Sequence, residues 1–65
     1  MQGPMYRVYE ANIAGRTARF SCSDVREISL RQQIERGEVT IEPNSMVLLL
    51  ETPNRNEARR MASEI

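Results

Sequence analysis

The sequence has no histidine, no lysine and no tryptophan, and Cys22 is its single cysteine. One cysteine cannot form a disulfide within the chain, and an unbridged thiol favours a reducing, cytoplasmic setting. Without imidazole, and with one aspartate, the chain has no ligand set for a transition metal, so we predict no metal and no cofactor. The same absences remove an imidazole base and a lysine amine, so the sequence predicts a protein that is not an enzyme.

Long apolar runs are also missing. No stretch approaches the roughly 18 residues that a membrane-spanning helix needs, so we predict no membrane partner. Hydrophobic residues make up 40% of the chain and charged residues 28%, which is typical of a folded globular domain. The formal net charge is zero, so the chain has no overall basic field that would attract nucleic acid.

At 65 residues the chain has room for one small domain, which we assign to residues 5–65. A core of this size rarely supplies more than about 3–5 kcal/mol, and such domains commonly need a disulfide, a metal or a partner. The first two are excluded above, which leaves self-association or another protein. The opening MQGPM is similar to the end of a picornaviral protease recognition sequence, so we expect residues 1–4 to be flexible or derived from a tag.

Four segments have the composition or the alternation of strands. MYRVYEA and RTARFSC flank NIAGR, in which Asn12 and Gly15 are turn formers, and together they predict a hairpin. EVTIEP alternates and ends at a proline turn, and SMVLLLE is apolar throughout. The predicted strands lie near 5–11, 16–22, 38–42 and 46–51.

The stretch SDVREISLRQQIERG has a helical composition but an inconsistent apolar pattern. At about 100° per residue, Val25 and Ile28 fall on one side of a helix while Leu30 and Ile34 fall nearly opposite. One amphipathic helix cannot bury all four against one surface. We therefore predict a short turn followed by a helix near 29–36, with a single helix that has a second buried face as the alternative.

The last segment predicts a helix near 54–64. Thr52 and Asn54 are both suitable N-cap residues, and Pro53 fits the first turn. An apolar stripe with spacing i, i+3, i+4 and i+7 runs from Ala58 to Ile65. The order of elements predicts an α+β fold in which helices pack on one face of a mainly antiparallel sheet.

The segment 46–50 is apolar on both faces of its predicted strand. Alternation places Val47 and Leu49 on one face, with Met46, Leu48 and Leu50 on the other. Exposing Val47 and Leu49 would forfeit on the order of 1.5–3 kcal/mol each. Either the two helices flank the sheet, or arginine stems and the N-terminal arm close the second face, or that face meets another chain.

Three arginines, Arg55, Arg59 and Arg60, lie on the polar side of the last predicted helix. Arg55 and Arg59 are one turn apart and repel each other, and the helix dipole disfavours cations in its first half. A solvated helix face that tolerates this small cost is one interpretation. The other is an anion contact, either to acidic side chains of a partner or to nucleic-acid phosphates.

We therefore expect a small interaction protein, such as an adaptor, inhibitor or regulatory subunit, that acts by stoichiometric binding and self-associates. The alternative is a small dimeric nucleic-acid-binding regulator that uses the arginines of the last helix on phosphates. The candidate partner-binding residues are Val47, Leu49, Arg55, Arg59 and Arg60.

Overall fold

The computed structural model describes residues 3–63 and contains a three-stranded antiparallel sheet with two α-helices, which confirms the predicted α+β class. The strand order is β2-β1-β3, so the first strand is central and the other two form the edges. In chain order the elements are β1 (Tyr6–Ile13), β2 (Arg16–Ser23), α1 (Asp24–Glu35), a 3-10 turn (Pro43–Ser45), β3 (Val47–Thr52) and α2 (Arg55–Ser63).

The predicted hairpin is confirmed, with a shorter loop than expected. β1 and β2 pair without interruption along their whole length, and only Ala14 and Gly15 connect them. Both loop residues have positive φ, 53° for Ala14 and 81° for Gly15, which matches the two-residue turn that suits the twist of a hairpin. Asn12, expected in the turn, is instead a β1 residue paired with Thr17.

The predicted strand near 38–42 is not a member of the sheet. Its remnant is a single bridge between Ile41 and Ile13, flanked by backbone bonds from Ala14 to Thr40 and from Glu42 to Asn12, both 2.9 Å. β2 pairs with β1 along one edge, and β3 pairs with most of the other edge. Only the residues of β1 next to the hairpin turn are left to pair with this segment. The proline that follows it then starts the 3-10 turn.

Helix α1 is a single helix from Asp24, so the prediction of a turn followed by a helix near 29–36 is wrong. Ser23 caps it, and its hydroxyl accepts a hydrogen bond from the Arg26 amide at 3.3 Å. The prediction assumed that every apolar residue must be buried. Instead Val25 and Ile28 remain 70% and 65% exposed, so the helix needs only one covered side.

Helix α2 agrees closely with its prediction. Its N-cap is Asn54, whose side-chain oxygen accepts a hydrogen bond from the Glu57 amide at 3.1 Å. Ala58 is buried against the sheet, and the next apolar positions on that stripe are half-buried. The predicted last position of this helix, 64, and the last position of its apolar stripe, 65, lie outside the described residues, as do residues 1 and 2 of the predicted N-terminal tail.

The helices lie on opposite faces of the sheet rather than on one. Helix α2 packs across all three strands on the face of Val8, whereas Glu27 of α1 contacts Tyr9, the next residue of β1, on the other face. The reason is that β1 buries residues of both parities, so both faces of the central strand need a cover. Within residues 3–63, neither helix has the length and hydrophobicity that crossing a membrane requires.

The hairpin loop carries a residue poorly suited to its backbone conformation. Ala14 adopts a left-handed conformation that disfavours residues with a Cβ, and asparagine tolerates this region better. We expect Ala14→Asn to raise the free energy of unfolding by about 1 kcal/mol, measured by urea denaturation. Ala14→Val, in which a branched side chain meets the same positive φ, should lower it, and a stabilising Val substitution would contradict the turn assignment.

Candidate functional site

The outer edge of β3 is an open strand edge with apolar side chains. β3 pairs with β1 alone, and in the described part of the chain no other segment pairs with its outer backbone groups. Val47 is 56% exposed and Leu48 is 50% exposed. The first four residues of β3 carry no charge, and an uncovered strand edge without charges is a template for pairing with another strand.

A bulge changes which side chains share a face on β3. The register shifts opposite Val8 and Tyr9, and Leu49 is left without a cross-strand partner. Cross-strand partners point to the same face, so the predicted alternation, with Leu48 beside Leu50 on one face, is wrong. The observed pairs are Val47 with Glu10, Leu48 with Tyr9, and Leu50 with Val8.

The grouping of the candidate residues changes accordingly. Val47 lies on the face that α2 covers, Leu48 lies on the face of Tyr9, and Leu49 is half-buried at the bulge. The bulge adds one residue to the strand, so side chains no longer alternate strictly between the two faces. A prediction from strict alternation therefore assigns every residue beyond the bulge to the wrong face. Val47 thus remains an exposed candidate, Leu48 is exposed on the opposite face, and Leu49, the other predicted partner-binding residue of this strand, is half-buried.

An apolar depression of about 300 Å³ adjoins the start of β3. Ile34 of α1 and Met46, which immediately precedes β3, supply much of its apolar wall, and Pro43 of the 3-10 turn closes one side. We call the exposed residues Val47 and Leu48, together with this depression, the β3 edge surface. It combines unpaired backbone groups with apolar area, the two features that strand addition uses.

The sheet face under α1 contains a buried carboxylate. Glu27 is 7% exposed, and its two oxygens accept hydrogen bonds from the Tyr9 hydroxyl at 2.8 Å, from Arg31 Nε at 2.8 Å and from Arg7 Nη1 at 3.1 Å. Arg7 also donates to Glu51 of β3 at 2.7 Å. We call Arg7, Tyr9, Glu27 and Arg31 the Glu27 cluster.

These contacts fix the protonation states of the cluster. Burial alone raises the pKa of Glu27, but the hydrogen bonds from Tyr9, Arg31 and Arg7 outweigh it and bring the pKa below its ordinary value. Burial, followed by the bond to Glu27, raises the pKa of Tyr9, while Glu51 and then Glu27 raise that of Arg7. The result is an ionised carboxylate that accepts hydrogen bonds from protonated donors, which is a stable ion network.

Cys22 lies beside this network and is half-buried. Burial, and then the negative charge of Glu27, raise the pKa of its thiol. A thiol with a raised pKa is a poor nucleophile, which agrees with the role of an apolar filler. Among residues 3–63, no group of three or more histidine, cysteine or acidic side chains comes together in a way that could hold a metal ion.

Two of the three predicted arginines, Arg55 and Arg59, line a polar groove of about 500 Å³. Arg26, from the first turn of α1, joins them there, whereas Arg60 is exposed elsewhere on α2. We call this depression the arginine groove. Its polar lining consists of Tyr6, Ser21, Ser23, Arg26, Arg55 and Arg59.

Sheet topology explains how the two helices meet at this groove. β2 and β3 both run antiparallel to β1, so both end beside its first residue, where Tyr6 pairs with Ser23 on one side and Thr52 on the other. A helix follows each of these strands almost at once, so α1 and α2 both begin at the same end of the sheet.

Sequence reasoning missed Arg26 and Leu48. The sequence does contain a signal for Arg26. It is a cation in the first turn of a helix, where the helix dipole disfavours positive charge, and no acidic residue lies three or four positions away to offset it. The face on which Leu48 lies is set by the bulge, and no residue type in the segment predicts a bulge there.

Comparisons with protein-family models, with curated proteins and with solved structures give no match to this chain.

Replacing the buried carboxylate should destabilise the fold. In Glu27→Gln the side chain keeps its size, but Arg31 loses its ionised acceptor and Arg7 keeps Glu51 alone, so we expect the free energy of unfolding to fall by about 2 kcal/mol. Chemical denaturation at neutral pH measures this. Glu35→Gln, at an exposed position of the same helix, is the matched control and should change stability by less than about 0.5 kcal/mol.

The same carboxylate predicts a pH dependence. Because the pKa of Glu27 is lower in the folded chain than its ordinary value of 4.5, its contribution is fully present above that value and is lost as pH falls through the folded pKa. The stability difference between the wild type and Glu27→Gln should therefore shrink on acidification. A difference that stays constant down to the acid limit of folding would contradict the ion network.

Proposed function

We propose that this chain is a small, non-enzymatic protein-binding module that associates with a second copy of itself through the β3 edge surface. The observation that carries the proposal is the open edge of β3, on which Val47 and Leu48 remain half exposed. Strand pairing there would satisfy the outer backbone groups and cover both side chains. Covering each contributes about 1 kcal/mol, half of the value for complete burial of such a side chain.

A second copy fits this edge because the edge is self-complementary. The segment 47–50 is VLLL and carries no charge, so a two-fold antiparallel pairing of β3 with itself brings apolar side chains together and opposes no like charges. The other edge, β2, begins with the exposed Arg16, and charges of this kind protect an edge from pairing.

The small core supports the same proposal. In the described part of the chain, the buried hydrophobic residues are Val8, Tyr9, Ala11 and Ala58, and just one of these side chains is a large aliphatic one. A domain with so little buried apolar area gains a large fraction of its stability from any further burial at an interface. The single cysteine favours a reducing, cytoplasmic setting for such a module.

Sedimentation or light scattering tests the proposal directly. We expect the wild type to form a dimer, and Leu48→Glu to be a monomer because it would place two carboxylates at the paired edges. Ile28→Glu is the matched control: Ile28 is 65% exposed, more than Leu48, but it lies on α1 and is not among the residues that line the apolar depression, so this variant should remain dimeric. Circular dichroism of each variant verifies that the fold is retained.

Two outcomes would contradict the proposal. A wild type that remains monomeric at millimolar concentration would remove self-association. A dimer that Ile28→Glu disrupts and Leu48→Glu does not would move the interface from the β3 edge to α1.

A further inference from the structure

The arginine groove concentrates positive charge in a chain whose net charge is zero. Arg26, Arg55 and Arg59 meet there from two different helices, and no acidic side chain lines the groove. Among residues 3–63, none of the three forms an ion pair, although Arg7, Arg19, Arg31 and Arg36 of the same chain all do.

This arrangement is unfavourable for the free protein. Arg55 and Arg59 are four positions apart on one helix and repel each other, and both Arg26 and Arg55 stand in a first helical turn, where the dipole disfavours a cation. An anion in the groove would reverse all three effects, because it would attract the arginines and interact favourably with both helix ends. The charges alone therefore indicate an anionic ligand.

The other groups in the groove specify the kind of anion. Ser21, Ser23 and Tyr6 supply hydroxyl donors beside the three guanidinium groups. The Ser23 oxygen already accepts a bond from the Arg26 amide, which leaves its hydroxyl hydrogen to donate elsewhere. A phosphate group has oxygens on several sides and accepts both forked guanidinium contacts and hydroxyl bonds, so it matches this donor set.

The volume and the aromatic ring indicate how large the ligand is. A groove of about 500 Å³ lies within the range of small-molecule sites and holds a single nucleotide rather than a strand. Tyr6, half-buried in the lining, provides a ring on which a base can stack. Nucleic-acid tracks need basic residues along an extended surface, whereas the net charge here is zero and Arg26, Arg55 and Arg59 meet at one place.

We propose that the arginine groove binds a phosphate monoester of mononucleotide size, with Arg26, Arg55 and Arg59 on the phosphate and Tyr6 against the base. The site lies at the opposite end of β3 from Val47 and Leu48, and it is independent of the proposed self-association. The monomeric Leu48→Glu protein should bind the ligand as the wild type does, so failure of one proposal is distinguishable from failure of the other.

Calorimetric titration of the full chain with AMP, adenosine and inorganic phosphate tests this inference at low salt. We expect AMP to bind best, inorganic phosphate more weakly, and adenosine at least about tenfold more weakly than AMP because it lacks the charged group. Tyr6→Leu should remove the preference for AMP over inorganic phosphate while leaving phosphate binding in place.

Arginine variants locate the site. Arg59→Gln and Arg26→Gln should each weaken AMP binding about tenfold, whereas Arg60→Gln, which removes the same charge from α2 outside the groove, should change it less than about twofold. All three positions are exposed, so the fold should tolerate the changes, and circular dichroism verifies this.

Four results would overturn the inference. They are the absence of AMP binding, equal binding of AMP and adenosine, equal binding of AMP and inorganic phosphate, and an equal loss in Arg59→Gln and Arg60→Gln. Much tighter binding of a single-stranded oligonucleotide than of AMP, with a steep dependence on salt, would replace the mononucleotide by a nucleic-acid backbone.

Discussion

The ion network around Glu27 determines how α1 is placed, and most of the surface depends on that placement. Glu27 lies on the side of α1 that faces the sheet. It accepts hydrogen bonds from Tyr9 and Arg7 of the central strand and from Arg31 of its own helix. A helix usually turns its apolar stripe to the sheet. Here a carboxylate is the most deeply buried residue of the helix, so Val25 and Ile28 are directed into solvent. The same rotation brings Arg26 to the arginine groove.

The central strand limits what a chain of this length can cover. β1 is buried on both faces and therefore uses both helices, one on each side. No third helix remains for the edges among residues 3–63, and the segment before the 3-10 turn adds a single bridge rather than a full strand. β3, the most apolar strand, is thus left at an edge, where neither helix protects its first residues.

Local rules account for the parts of the fold that the sequence predicts well. The hairpin follows from alternation and a turn glycine, and α2 follows from the Asn54 cap and a regular apolar stripe, so neither needs knowledge of distant contacts. Of the arginine groove, the sequence indicated the two members on α2, since Arg55 and Arg59 are unfavourable by helix rules alone.

The parts that escaped prediction depend on contacts between distant residues. A pattern of apolar residues cannot show that α1 is oriented by a glutamate, because the acceptors and donors come from β1 and from α1 together. The bulge at Leu49 is set by pairing with β1, so strict alternation misplaces Leu48 and Leu50. Arg26 reaches the groove because β2 and β3 end at the same side of the sheet, which is a property of topology.

The two surfaces differ in chemistry and are separated along one strand. Val47 and Leu48 begin the strand, whereas Thr52 ends it beside Tyr6, and the five residue-to-residue steps from Val47 to Thr52 correspond to about 17 Å. The apolar first residues of β3 and the charged groove respond differently to salt, because screening weakens contacts between exposed charges and leaves apolar contacts nearly unchanged. A two-fold pairing through the first residues of β3 would direct the two grooves away from each other, at the outer ends of the joined sheet. Association at the edge would therefore leave both grooves accessible. The arginines of the two grooves, whose repulsion would oppose dimerisation, would lie far from the two-fold axis.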